Sequence, residues 1–215
     1  RSSNRDTLVG TLGLRYGITG KTEGLLRISY LHDSERVRDA AGRSSNRLNH
    51  FADTWAGINH QFREEDDYPA FLGFAEVALS QRLRSSSKSF RSAMLGFTTY
   101  KALDPVVFSL TGAYRFSRSY RDGADTARGG NLLVLTPSVG FAVNDRVTIT
   151  TGMQWTRQTA ERFNGAAMGI NRTATDLQLG FGYGFATGNT LNVTLKTNAS
   201  GGQGAEMRVN WLYTF

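Results

Sequence analysis

Three histidines are the best general bases in the chain, and one of them opens the triplet His32-Asp33-Ser34. A base, an orienting carboxylate and a hydroxyl are the residue types of nucleophilic acyl transfer. Their spacing works against that chemistry. In a strand, neighbouring side chains point to opposite faces, so three consecutive residues cannot converge on one reacting atom. A partner from another segment would be needed, and none is identifiable. His32, His50 and His60 lack metal-ligand spacing. The absence of cysteine removes thiolate sites and a disulfide framework. Gly180-Phe181-Gly182-Tyr183-Gly184 is glycine-rich but opens no helix, as a nucleotide loop would. Its glycines share one strand face, where they relieve crowding or permit curvature. These residues imply no enzyme, no metal and no cofactor.

A second set of residues able to do chemistry is charged and caught on the polar side of alternating segments. It comprises Arg15, Arg27, Glu76, Arg82, Arg115, Asp176, Lys196, Glu206 and Arg208. In a barrel these would line the pore, because a charge facing lipid near the midplane costs about 2–4 kcal/mol. Two arrangements fit. One is a basic constriction favouring anions or polar solutes. The other is a paired Arg/Glu lattice that braces the wall and narrows the lumen. Leu72 and Phe74 share a face with Glu76, so some apolar residues also point inward.

The elements that must position these residues follow from a period of two. Val147, Ile149, Met153 and Trp155 alternate with Thr148, Thr150, Gly152, Gln154 and Thr156. Leu177, Leu179, Phe181, Tyr183 and Phe185 alternate with Gln178 and three glycines. Phe108, Leu110, Tyr114 and Phe116 oppose Ser109, Thr111, Ala113, Arg115 and Ser117. The pattern predicts strands over 7–17, 22–33, 51–62, 70–83, 89–101, 106–120, 131–143, 146–159, 172–185, 190–198 and 204–215. Connectors alternate between short, as at Asn144-Asp145, and long and polar, as at Glu35–Asn49, Arg121–Gly130 and Glu161–Ala167.

Long strands joined alternately by short turns and long loops describe an outer-membrane barrel. Strand lengths match the roughly 9–11 residues that cross a bilayer on a tilt. A soluble sandwich also alternates, but its strands average about 5–6 residues. A mean hydropathy of −0.34 does not oppose a membrane, because only alternate residues of a barrel meet lipid. Tyr16, Tyr30, Tyr100, Phe141, Phe185, Trp211, Tyr213 and Phe215 sit near strand ends, where interfacial aromatics gather. The final alternation Trp211, Tyr213 and Phe215 looks like the C-terminal signal read by the barrel assembly machinery.

The expectation is therefore one all-β domain over 1–215, a transmembrane antiparallel up-and-down β-barrel of the bacterial outer membrane. Twelve strands is the first choice and ten the second. An even count needs one more strand than the eleven segments above, or one fewer. Residues 1–6 are too short to supply it.

The formal net charge of +7 raises nucleic acid as a partner. No aromatic–basic stacking pattern lies on the polar face. The long loops carry Arg36, Arg38, Arg43, Arg47, Arg121 and Arg128, which lipopolysaccharide phosphates explain. The partners implied are membrane lipid, lipopolysaccharide and the assembly machinery.

Three segments resemble a known family. Gly13-Leu14-Arg15-Tyr16-Gly17-Ile18-Thr19-Gly20-Lys21, followed by Leu26-Arg27-Ile28, resembles a hairpin of the functional-amyloid (Fap) secretion porins. Asp104-Pro105-Val106-Val107-Phe108 with Tyr114, and the run from Pro137 to Arg146, resemble others. A related family of outer-membrane channels, associated with the phenol meta-pathway, shares such hairpins. The resemblance covers about half of the chain. It implies a twelve-stranded channel, a possible homotrimer, and an exported polypeptide or a small apolar or aromatic solute as passenger. It brings no catalytic residues. The first reading is a passive outer-membrane channel that is a secretion pore of the amyloid-export type, the second an uptake channel for small aromatic or hydrophobic compounds, and the third a non-conducting structural or adhesive barrel.

Overall fold

A computed structural model describes the backbone of residues 2–39, 42–83, 86–186, 189–201 and 205–213. Side-chain surroundings are described for 10–32, 53–82, 89–121, 123–185, 189–201 and 205–213. The described residues form strands and turns. No helix among them is long and apolar enough to cross a membrane.

The main sheet is an antiparallel meander. Its long strands are β1 (Ser2–Thr19), β2 (Thr22–Asp39), β3 (Gly42–Arg63), β4 (Ala70–Leu83), β6 (Ser92–Leu103), β7 (Val106–Ser117), β10 (Leu132–Asn144), β11 (Val147–Gln158), β14 (Arg172–Ala186), β15 (Asn189–Asn198) and β16 (Ala205–Tyr213). They hydrogen-bond in that order, and β5 (Ser86–Lys88) pairs β4, bringing the sheet to twelve strands. The eleven long strands coincide with the eleven segments read from alternation. β1 reaches back to Ser2. The connector expected at Glu35–Asn49 is largely strand, because β2 runs to Asp39 and β3 starts at Gly42.

Two expected loops fold into a second sheet. The β7–β10 connection holds β8 (Ser119–Asp122) and β9 (Asp125–Arg128). The β11–β14 connection holds β12 (Glu161–Phe163) and β13 (Ala166–Met168). These four pair in the order β13-β12-β9-β8.

By contact density the chain divides into two compact units, Arg1–Asn59 with Ala75–Ala93, and His60–Phe74 with Met94–Phe215. In the second unit, register carries side chains of one kind across many strands. Phe141, Ile149, Phe181, Val193 and Val209 form one cross-strand row, and Val139, Thr151, Leu179, Leu195 and Met207 another. In the first unit Leu12 faces Ile28 and Leu14 faces Leu26. These rows hold many of the exposed large hydrophobic side chains, among them Leu14, Ile149, Phe181, Leu195 and Val209. A soluble protein rarely leaves so continuous an apolar surface to water. Burying each such side chain in an apolar medium is worth about 1.5–3 kcal/mol. Lipid is the solvent that supplies this burial, and an antiparallel sheet satisfies its backbone groups between strands, as that solvent requires.

Aromatic rings close gaps in this face. The Phe62 ring covers Gly73 on β4, where an added Cβ would lie 2.7 Å from the ring, and Phe97 covers Gly112 at 2.6 Å. Phe62, Phe71 and Phe97 follow one another with centroids 5.9 and 6.0 Å apart. A phenyl ring lying over a cross-strand glycine pins register where the glycine contributes no side chain.

Candidate pore-lining face

The face opposite the apolar rows is polar. In the second unit, register places Ser109, Ser138, Gly152, Gln178, Lys196 and Glu206 in one row. A parallel row runs through Thr150, Gly180, Thr194 and Arg208. Hydroxyls meet at close range on this face. Ser109 and Ser138 Oγ are 2.6 Å apart, and Thr98 and Thr111 Oγ1 are 3.0 Å apart.

Lys196 is the centre of the charged part. Its Nζ lies 3.5 Å from Asp176 and 3.4 Å from Glu206, and it donates to Gln154 Oε1 at 3.2 Å. Gln178 Nε2 donates to the same Gln154 oxygen at 2.9 Å. Asn198 Nδ2 donates to Asp176 Oδ1 at 2.8 Å. Arg208 reaches Glu206 at 2.8 Å. Two cations and two carboxylates thus neutralise one another along a ladder of amides.

The first unit holds a different cluster. Arg27 donates from Nη2 to Glu76 Oε2 at 2.9 Å, and Glu76 is only 6% exposed. The Arg27 guanidinium lies 5.8 Å from the centre of the Trp55 ring. Trp55, 3% exposed, donates its indole N–H to Asp53 Oδ2 at 2.9 Å. Gly57 makes room for Glu76, since a Cβ there would fall 2.6 Å from Glu76 Cγ. Nearby in register, Arg15 sits 3.6 Å from Glu23, and Asn59 Nδ2 donates to Glu23 at 2.7 Å.

Of the nine charged residues expected to line a pore, six are therefore found in ion pairs: Arg27 with Glu76, Lys196 with Asp176 and Glu206, and Arg208 with Glu206. A seventh, Arg15, pairs with Glu23, which sequence reasoning missed. Glu23 opens β2 beside a tight turn, where alternation has barely begun. Its signal was the cross-strand neighbourhood of Arg15. Arg82 is exposed, and Arg115 is half-buried on the face of Ser109 and Thr111. Leu72 and Phe74 are half-buried.

His32-Asp33-Ser34 lies within β2 as consecutive extended residues. The side chains of Asp33, Ser34 and His50 fall outside the described residues. Among the described residues no three His, Asp or Glu side chains gather as a metal site. Trp211 and Tyr213 lie on β16 and are exposed, whereas Phe215 lies outside the described residues. Of the other aromatics expected at strand ends, Tyr16, Tyr30, Phe141 and Phe185 are exposed. Tyr100 is half-buried, two residues from Thr98 and on its face.

One irregularity interrupts the wall. Pairing of β10 with β11 runs from Leu132 to Leu135 and resumes at Ser138 without a change of register. Pro137 sits in the gap and has no N–H to give the ladder. Around it, on the side of the apolar rows, lies a mainly apolar depression of about 500 Å³, lined by Tyr100, Phe108, Leu110, Pro137, Val139 and Met153 among others.

No family model and no curated protein sequence matches this chain. Solved structures do. An outer membrane channel from Pseudomonas putida F1 aligns at a TM-score of 0.72 and 13% identity, over 98% of this chain and 83% of that one. The NanC porin aligns at 0.55 and 12% identity, over 96% and 99%. At such identities the likeness is one of fold. The polar and apolar faces, the strand lengths and this likeness agree: the chain has the antiparallel transmembrane β-barrel fold of outer-membrane channels and porins, and its place is the bacterial outer membrane.

Proposed function

We propose that this protein is a non-enzymatic outer-membrane channel through which a small solute with aromatic or apolar parts passes passively. The observation that carries the reading is the break in the β10–β11 ladder at Pro137, set in an apolar depression of about 500 Å³. The depression lies on the lipid-facing side, so it suits an apolar solute that leaves the barrel sideways, where a missing ladder bond lets a strand pair yield most easily. The half-buried Leu72 and Phe74, beside Glu76 in the alternation, add apolar surface to the polar face. Pairing of the inward charges argues against a basic constriction and for weak charge selectivity. Export of an unfolded polypeptide of the amyloid type is the alternative, supported by the hairpin resemblance.

Planar bilayers test conduction: single-channel steps are expected, and their absence with folded protein overturns the channel reading. Proteoliposome flux of a small aromatic acid tests the passenger. Pro137→Val restores an N–H to the ladder and is expected to slow that flux several-fold while leaving ionic conductance near its original value. Unchanged flux would remove the seat. Long-lived current blocks by an unfolded peptide would favour export instead.

A further inference from the structure

The small sheet β13-β12-β9-β8 has two unlike faces. Register places Tyr120, Ala127, Phe163 and Ala166 on one of them. Tyr120 is 7% and Ala127 4% exposed, so this face is turned toward protein. The other carries Ser119, Arg121, Thr126, Arg128, Arg162 and Ala167. Five of these six are exposed, and Arg128 is half-buried. The strand positions of this face contain three arginines and no carboxylate.

Arg128 and Arg162 stand directly opposite one another across the β9–β12 pair. Arg121 lies diagonal to Arg128 across β8–β9, at about 7–8 Å by sheet geometry. Like charges directly opposite destabilise a sheet unless something neutralises them. Among the described residues no carboxylate pairs with any of the three. The nearby acid Asp125 is engaged elsewhere, accepting from Asn164 Nδ2 at 2.8 Å. One of these arginines and the strands beneath them are held in place. Arg128 Nε donates to the Ser117 carbonyl at 2.9 Å, and Asn164 bonds Thr126 through both its backbone and its side chain.

We propose that this arginine face is a binding site for the phosphorylated sugar headgroup of an outer-leaflet glycolipid. Guanidinium groups bind phosphate oxygens in pairs of charge-assisted hydrogen bonds, and a row of them on one sheet face suits a headgroup bearing more than one phosphate. The site lies in the long connections, the side that outer-membrane barrels present to the outer leaflet. Its phosphates are the anions that such a rim meets.

The test uses folded protein in detergent and bisphosphorylated rough lipopolysaccharide as probe, with binding followed by native mass spectrometry and titration. The double variant Arg121→Gln/Arg162→Gln is expected to bind about 100-fold more weakly, about tenfold per lost arginine. The wild type is expected to lose a similar factor toward the same lipopolysaccharide stripped of phosphate. Arg146→Gln, in a short turn, should bind as wild type does. Heat-modifiable gel mobility confirms folding, and Arg162→Gln alone, with a tenfold loss, serves if the double variant misfolds. Wild-type affinity in the variants, or equal binding of the dephosphorylated form, overturns the proposal. Inorganic phosphate competing at concentrations comparable to the glycolipid overturns the glycolipid as occupant. None of these outcomes depends on whether the protein conducts.

Discussion

The Arg27–Glu76 cluster and the Lys196 ladder arise from one sequence signal, a charge on the polar side of an alternating strand, yet one is an isolated pair and the other a shared network. Glu76 is shut away behind Gly57 and against an arginine that also covers Trp55. Lys196 is shared among Asp176, Glu206 and Gln154, and its partner Glu206 has a side chain 47% exposed. The first is a closed pair in low dielectric, where removing one member strands the other. The second is a shared lattice, half-buried at Lys196 and Asp176 and open to water at Glu206 and Arg208, where an ion that loses one contact keeps another partner. Charge on the polar face of such a sheet can therefore hold two strands together or set a local field, and the number of partners each ion has decides which.

The largest effect should come from breaking the closed pair. Glu76→Gln leaves the Arg27 guanidinium uncompensated, and stability should fall by about 2–3 kcal/mol, discounted because Arg27 is a third exposed. Urea unfolding in lipid or detergent measures it. The same variant should move the reversal potential in a salt gradient toward anions. Replacing both members, Arg27→Leu with Glu76→Leu, should recover most of the loss, because no charge is then stranded. If the double variant is as unstable as the single, the closed-pair description is wrong.

Lys196→Gln should do the reverse. Stability should fall by about 1–2 kcal/mol, less than for Glu76→Gln because Asp176 keeps Asn198 and Glu206 keeps Arg208, while both carboxylates lose their shared cation and selectivity moves toward cations. A large stability loss without a shift in reversal potential would make the ladder a brace as well. The smallest effect belongs to Gln154→Leu, which removes two hydrogen-bond acceptances but no charge. About 0.5–1.5 kcal/mol of stability should go, with selectivity untouched.

Much of this architecture is legible in the chain. Period-two alternation located all eleven long strands, because each has to hold one face to lipid over its whole length. It also placed Arg27, Glu76, Asp176, Lys196, Glu206 and Arg208 on the polar side. Which charge meets which was not legible. Arg27 finds Glu76 across 49 residues, and that depends on register between strands, which alternation within one strand does not encode. The small sheet was missed for a related reason. Its strands are three or four residues long, too short to show a period, and β12 and β9 pair only because two separate connections come together. The extension of β2 and β3 through an arginine- and serine-rich stretch was likewise hidden by its polarity.

Asn164 links those two connections at their tips. With φ of +49°, it receives the Thr126 N–H on its side chain and gives its own N–H to the Thr126 carbonyl. Two stretches of surface separated by a complete hairpin are thereby made into one cassette. An insertion or deletion in either would slide Thr126 past Asn164 and unpair both. Anyone grafting an epitope onto this protein has to replace both connections together, and descent with modification faces the same restriction: their lengths can change only in step.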